Sequence, residues 1–178
     1  MGKSHANPCK KNRVKAGRKE GPSYGLIDSQ SAKTIYASDE RGYDGGKKTK
    51  GRKRHIVADV MGNLLAVSVH AANIHDTKFG IVPAMQAYEN YPTIEKFCGD
   101  EGYRRTFEDE VLAELGLGVD ISKRIDSKFA VIPKRWVVER TFGWMGHSRR
   151  LSKDYEIRTY HAEAMIHISH LHTLLKRL

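Results

Sequence analysis

His55-Ile-Val-Ala-Asp-Val-Met-Gly-Asn-Leu-Leu-Ala-Val-Ser-Val69 decides how this chain folds. Two strand-like apolar runs, His55 to Asp59 and Leu64 to Val69, flank Met61-Gly62-Asn63, whose Gly and Asn suit a tight reversal, so a β-hairpin is expected. Upstream, the apolar pulse Gly25-Leu-Ile delivers Asp28 and reads as a further strand. Three neighbouring antiparallel strands are the economical arrangement.

Beyond Val69 the period changes. Asp76 to Tyr88 places Phe79, Val82, Met85 and Ala87 near helical spacing, with Asp76 as its expected N-cap. Ile94 to Cys98 is a short strand feeding Asp100. Phe107 to Leu115 reads as a helix stopped by Gly116, and Gly118 to Ile121 as a last strand. A long helix follows Pro133, from about Lys134 to Met145, and Tyr160 to Leu178 forms a terminal amphipathic helix. The order βββαβαβα predicts an α/β fold: a mixed sheet, three antiparallel strands then parallel ones, with helices packed on its faces.

The chain has 178 residues, enough for one domain with a core, and a formal net charge of +10. The excess positive charge sits in residues 1–20 and 47–54, and the remainder is close to neutral. Residues 1–22 are polar, basic and punctuated by Pro8, Gly17, Gly21 and Pro22, so a disordered lead-in is expected, with the folded domain over 23–178. Two basic segments suit phosphate contact, although either alone would serve as a solubilising surface. Cys9 and Cys98 form neither a disulfide framework nor a zinc pattern, which points to a reducing, cytoplasmic setting. No apolar run approaches the roughly 20 residues that span a bilayer.

Three acids stand in distinctive surroundings: Leu26-Ile-Asp-Ser-Gln-Ser31, Phe97-Cys-Gly-Asp-Glu-Gly-Tyr103 and Arg135-Trp-Val-Val-Glu-Arg-Thr-Phe-Gly-Trp144. Asp28 and Asp100 follow strands, whereas Glu139 lies within a helix. Carboxylates delivered in this way can converge on one point and hold Mg²⁺ against a nucleic-acid phosphate. The plainer readings are turn chemistry for the two aspartates and a solvated Arg135–Glu139 pair for the third. Asp59 and Asp76 rank behind them, since a hairpin and a helix start already give them structural work.

Ile27-Asp-Ser-Gln-Ser31 with Lys33-Thr34, Gly42-Tyr-Asp-Gly-Gly-Lys-Lys-Thr-Lys-Gly-Arg-Lys-Arg-His55, Gly99-Asp-Glu-Gly-Tyr103, the Arg135 to Trp144 string and Ser148-Arg-Arg-Leu-Ser-Lys-Asp-Tyr-Glu156 occur in that order. Together they resemble the transposases of the insertion sequence 5 family, in the DDE superfamily of bacterial mobile elements. The resemblance runs from about Gly25 to the C-terminus. It implies an RNase H-like fold, DNA as substrate, and Asp28, Asp100 and Glu139 as the catalytic triad. It also implies Mg²⁺ or Mn²⁺, acting in cleavage and strand transfer at the ends of an insertion sequence; two-metal chemistry would then use two ions, with Asp28 as the expected shared ligand. Members usually carry a longer N-terminal region that recognises element ends. A fused product or a partner from an upstream overlapping frame would supply it here, on a homo-oligomer assembled on double-stranded DNA in the cytoplasm. A DNA-binding remnant without activity and a related RNase H-like nuclease are the alternatives.

Lys47, Lys48, Lys50, Arg52, Lys53 and Arg54 are candidate contacts to the DNA backbone, together with Arg135, Arg140, Arg149, Arg150 and Lys153; for each the plainer reading is a solvated charge. His161, His167, His170 and His172 border a stripe of Ala164, Met165, Ile168, Leu171, Leu175 and Leu178, which favours a packed helix over a zinc site. Trp136 and Trp144 could stack on bases, but packing is the simpler role.

Overall fold

The computed structural model describes residues 7–122 and 133–178, the side chains of 133–135 excepted. In chain order the elements are α1 (Pro8–Lys15), β1 (Tyr24–Lys33), β2 (Gly42–Asp44), β3 (Thr49–Ala58), β4 (Leu64–Ala71), α2 (Asp76–Phe79), α3 (Ile81–Asn90), β5 (Lys96–Asp100), α4 (Thr106–Leu115), β6 (Gly118–Ser122), α5 (Pro133–Gly146) and α6 (Thr159–Leu175). β1 pairs antiparallel with β3, which pairs antiparallel with both β2 and β4. On its other edge β1 runs parallel to β5, and β5 parallel to β6. This is the expected mixed sheet: four strands joined by antiparallel pairings, continued from β1 by two parallel ones, six strands in all.

Strand alternation divides the core into two. Leu26 of β1 and Ile56 of β3 face one layer, with Val137, Val138, Phe142 and Met145 of α5 and Ile166 of α6. Ile27 and Val57, one residue on, face the other layer with Ala84 and Ala87 of α3 and Phe107 and Val111 of α4. Successive side chains of a strand point to opposite faces, so both β1 and β3 must be apolar on both sides over this stretch. Helices cover both faces, as the sequence pattern requires.

The β3–β4 reversal is the tight turn that its sequence suggests. Asp59, fully buried, accepts from the backbone N–H of Met61 (2.8 Å) and of Asn63 (2.9 Å), while Gly62 adopts φ +81°. A Cβ on Gly62 would stand 2.8 Å from both Thr141 Oγ1 and the Trp144 ring, so glycine lets α5 settle onto this turn.

Four sequence expectations change. Pro8 to Lys15, assigned to a disordered lead-in, forms α1, because Asn7 caps it and its side chains have partners on the hairpin turn. Arg13 donates to Asp59 Oδ2 at 2.6 Å and to the Lys19 and Gly21 carbonyls, and Asn12 donates to Asn63 Oδ1 at 2.7 Å. The single helix expected from Asp76 breaks at Gly80 into α2 and α3, and the N-cap is His75 rather than Asp76. The basic segment 47–54 is no free loop: residues 47 and 48 end a turn, and Thr49 to Arg54 belong to β3.

The terminal helix also turns a different face to the core. Ala162, Ile166, Ser169, His170 and Leu174 are buried, whereas Ile168, Leu171, Leu175 and Leu178 of the apolar stripe are exposed. The cause is the strand edge that α6 covers. The Leu64 N–H of β4 donates to His170 Nε2 (2.9 Å) and the Val69 N–H donates to Glu163 Oε1 (2.8 Å), so polar helix side chains complete the edge ladder.

Replacing Arg13 by Met should lower the unfolding free energy by about 3–5 kcal/mol, because Asp59 would be left buried without its cation. Denaturant unfolding followed by circular dichroism measures this. A loss under about 1 kcal/mol would show that α1 is only loosely attached.

Candidate active site

β1 and β5 lie side by side with Leu26 opposite Cys98. Two residues further along each strand in the same direction stand Asp28 and Asp100. Both line one small crevice with Leu26, Ile27, Cys98, Gly99, Ser122 and Val138. Asp28 Oδ1 accepts the Ser29 N–H at 2.7 Å, and Asp100 Oδ1 accepts the Gly102 N–H at 2.9 Å as it caps a short 3-10 turn, Glu101–Tyr103. Each carboxylate is therefore oriented by its own backbone. Val138 of α5 closes the crevice from above, and exposed Glu139 is the next residue of that helix.

The donors gathered here are carboxylate and hydroxyl oxygens, which suit a hard divalent ion. The Cys98 thiol is committed to Ser122, with Sγ 3.3 Å from Oγ. Among the described residues no three His, Cys, Asp or Glu side chains stand close enough together to hold an ion as they are placed. Thus Asp28 and Asp100 share a crevice, and Glu139 is one helix position from its wall.

Behind Asp100 runs a buried polar chain that sequence reading missed. His70 Nδ1 lies 3.0 Å from the Ala71 carbonyl, which can only accept, so in the neutral ring Nε2 is the acceptor. His55 Nδ1 then donates to His70 Nε2 (2.9 Å), which leaves His55 Nε2 to accept from the Tyr103 hydroxyl (2.6 Å). Phe79 stacks on His70 with ring centroids 3.7 Å apart. Burial, and then the charges of Asp28, Asp76 and Asp100, raise the Tyr103 phenol well above its ordinary pKa, so it remains a donor. The only sequence signal was the tyrosine ending Gly99-Asp-Glu-Gly-Tyr103. Gly99 is needed there, since a Cβ would lie 3.0 Å from the Tyr103 ring.

The basic candidates separate by strand face. Arg52, with no exposed surface, donates to the Asp39, Glu156 and Ile157 carbonyls and pairs with Asp154 at 3.3 Å. Arg54 donates to the Leu151 (2.8 Å) and Lys153 (3.0 Å) carbonyls. On the opposite face Lys53 donates to the Ile74 carbonyl (2.7 Å) and pairs with Asp76 (2.8 Å). These three are buried structural cations and not DNA contacts. Arg140 is likewise engaged: its guanidinium sits 4.5 Å from the ring centroids of both Trp136 and Trp144 and donates to the Met61 carbonyl. Lys47, Lys48, Lys50, Arg149, Arg150 and Lys153 are exposed, with Arg150 paired to Glu156 at 2.7 Å. The side chain of Arg135, and with it the expected Arg135–Glu139 pair, lies outside the described residues. His170 is a strand-edge acceptor, as described above, rather than a zinc ligand.

Fold and site together define an α/β protein whose mixed sheet sets two aspartates side by side on neighbouring parallel strands. Residues 19–174 match the family model described as Transposase DDE domain, and the chain belongs to that family. It is 32% identical over 116 residues to the Burkholderia cepacia protein named "Putative transposase for insertion sequence element IS402", covering 61% of this chain and 55% of that protein. The chain thus spans about half the length of this relative. Among solved structures it is similar to the catalytic core domain of BIV integrase, with TM-score 0.49 and 12% identity over 85% of this chain and 82% of that one. The HTLV-2 integrase catalytic core domain in complex with magnesium gives TM-score 0.42 and 18% identity over 71% and 68%.

Three imidazoles are held neutral. Burial pushes His170 down to about 4 and both His55 and His70 well below the ordinary imidazole value. A folded-state pKa below the unfolded one means that the unfolded chain takes up protons first as pH falls. Stability should therefore be full above about pH 6.5 and should decline from there towards pH 4. Replacing His170 by Gln, which keeps an acceptor but does not titrate, should flatten part of that decline in denaturant unfolding. An unchanged slope would show that His170 is not held neutral.

Proposed function

We propose that this chain is the catalytic part of a DNA transposase that cuts phosphodiester bonds at the ends of an insertion sequence and joins the freed strand to target DNA. The observation that carries the reading is the matched register of β1 and β5, which places Asp28 and Asp100 in one crevice beneath α5. Membership of the Transposase DDE domain family supports it. Asp28, Asp100 and Glu139 would hold Mg²⁺ or Mn²⁺, as two ions. Such ions supply Lewis-acid charge at a phosphate and favour a nucleophilic oxygen at neutral pH.

The protein's own residues then have distinct tasks. The Ser29 and Gly102 N–H groups fix the carboxylate orientations, and the Tyr103–His55–His70 chain holds the turn that carries Asp100. Val138 keeps α5 against the crevice so that Glu139 completes the acidic set from above. Lys47, Lys48 and Lys50 on one side, and Arg149, Arg150 and Lys153 on the other, would hold the double-stranded DNA by its phosphates. A homo-oligomer on DNA, with a fused segment or an upstream-frame partner for end recognition, completes the reading.

A duplex carrying the element's terminal repeats, incubated with full-length protein and Mg²⁺, should be nicked at the element end. Asp28→Asn, Asp100→Asn and Glu139→Gln should each reduce cleavage by more than about a hundredfold, beyond the effect typical of groups that only support a metal ligand. DNA retention should stay roughly unchanged, and a chelator should abolish cleavage by the wild type. Cleavage surviving in any of the three variants overturns the assignment, and absence of cleavage in the wild type favours a DNA-binding remnant.

Changing Lys47, Lys48 and Lys50 together to Ala should make DNA affinity less salt-dependent, by about one unit in the logarithmic slope for each phosphate contact removed. An unaltered slope removes them from the DNA path.

A further inference from the structure

A groove between α5 and α6 shares no residue with the acidic crevice. It holds about 930 Å³, with Trp144, Met165 and Ile168 as apolar floor and His172, Lys176 and Arg177 in its polar wall. Among the described residues no carboxylate lines it. Arg177 donates through Nη2 to the Met61 carbonyl at 3.1 Å, yet its Nη1 is buried without an acceptor. A guanidinium nitrogen left in this way favours an incoming anion that completes it.

The other face of the sheet carries the matching charge. α4 has Glu108, Asp109, Glu110 and Glu114 in its ten residues and neither Lys nor Arg. No cation pairs with these four acids among the described residues. Leu112 follows Glu108 and Asp109 at i+4 and i+3, so the two acids flank it on the helix surface. It is 63% exposed, the most of any large apolar side chain described.

We propose that the groove receives α4 of a second copy of this chain, with Leu112 against Met165 and Ile168 and with Glu108 and Asp109 toward Lys176 and Arg177. α5 and α6 cover one face of the sheet and α4 the other, so one copy cannot close the contact on itself. Each copy offers both halves of the joint, and such a head-to-tail contact builds a ring or an open array rather than a two-fold pair. Charge selects the occupant, because α4 alone among the described helices has more than one acid and no Lys or Arg. A duplex backbone brings negative charge but no apolar side chain for the floor. This joint is the contact by which the homo-oligomer of the reading above, on which it rests, assembles without metal or DNA.

Analytical ultracentrifugation of the full chain over a range of concentrations, without DNA or divalent ion, tests it. Wild type should associate, and less so as salt rises. Asp109→Lys and Lys176→Glu each set like charges together at the joint and should each weaken association by at least about tenfold. Mixed in equal amounts, the two variants should associate again, since each then meets the opposite charge on the other. Leu112→Ser should weaken association from an exposed position, and circular dichroism with the thermal midpoint checks that all variants are folded. A wild type that stays monomeric, association that survives either charge variant, or a mixture that stays apart each overturns the proposal. So does a Lys176→Glu protein that loses duplex binding while its association is unchanged, which assigns the groove to DNA. Assembly that follows these charges in a protein that does not cleave with Mg²⁺ keeps the joint and rejects the catalytic reading. Cleavage by a wild type that never associates in this way rejects the joint alone.

Discussion

The interior depends on one strand that carries positive charge into both core layers. β3 pairs with β1, β2 and β4, and from Arg52 to His55 every side chain is buried. An unpaired buried guanidinium or ammonium is costly, so each needs oxygens placed to receive it. Arg52 and Arg54 point to the α6 side and collect the carbonyls of Leu151, Lys153, Glu156 and Ile157 with the Asp154 carboxylate. Lys53 and His55 point the other way, to Ile74, Asp76, His70 and Tyr103. The strand thereby fixes the segment after α5 on one face and the turn after β5 on the other. The turn after β5 directly follows Asp100 of the acidic crevice.

This explains how three strings far apart in sequence depend on one another. Gly-Arg-Lys-Arg-His55 is the strand itself, Leu-Ser-Lys-Asp-Tyr-Glu156 is the receptor for its arginines, and Gly99-Asp-Glu-Gly-Tyr103 is the receptor for His55. The Asp154 backbone also bonds with Lys33 and Ile35, so the receptor segment continues alongside the end of β1, the strand that presents Asp28. Exchanging Arg for Lys at 52 would not be neutral, because a single ammonium cannot reach the separate carbonyls and the carboxylate that one planar fork reaches.

Much of the architecture was legible because apolar periodicity and turn chemistry act locally. The hairpin through Gly62, the helix ended by Gly116 with φ +67°, and the strands before Asp28 and Asp100 all follow from residues within a few positions of each other. The failures share a cause. A run of Lys and Arg reads as solvated unless its oxygen partners are known, and those partners lie from 13 to 105 residues away in sequence. Arg13 in α1 is the same case, since its partner Asp59 belongs to the hairpin turn. The terminal helix misled for the complementary reason: its richest apolar stripe faces outward, because the inward face must provide polar atoms to a strand edge. In the candidate site the two strand aspartates were legible, while the His55, His70 and Tyr103 chain was not, because single histidines in a strand carry no periodic signal.

The burial of Arg52, Lys53 and Arg54 also changes where a phosphate chain can be held. With their charge internal, and Arg140 enclosed between indoles, the exposed cations of the described candidates fall into two groups. Lys47 and Lys48 occupy the β2–β3 turn with Lys50 at the start of β3, and Arg149, Arg150 and Lys153 follow α5. Arg54 binds the Lys153 carbonyl and Arg52 that of Glu156, so the second group is anchored to the strand that the first group begins. The two sets are therefore held in fixed relation by buried cations rather than carried on independent loops.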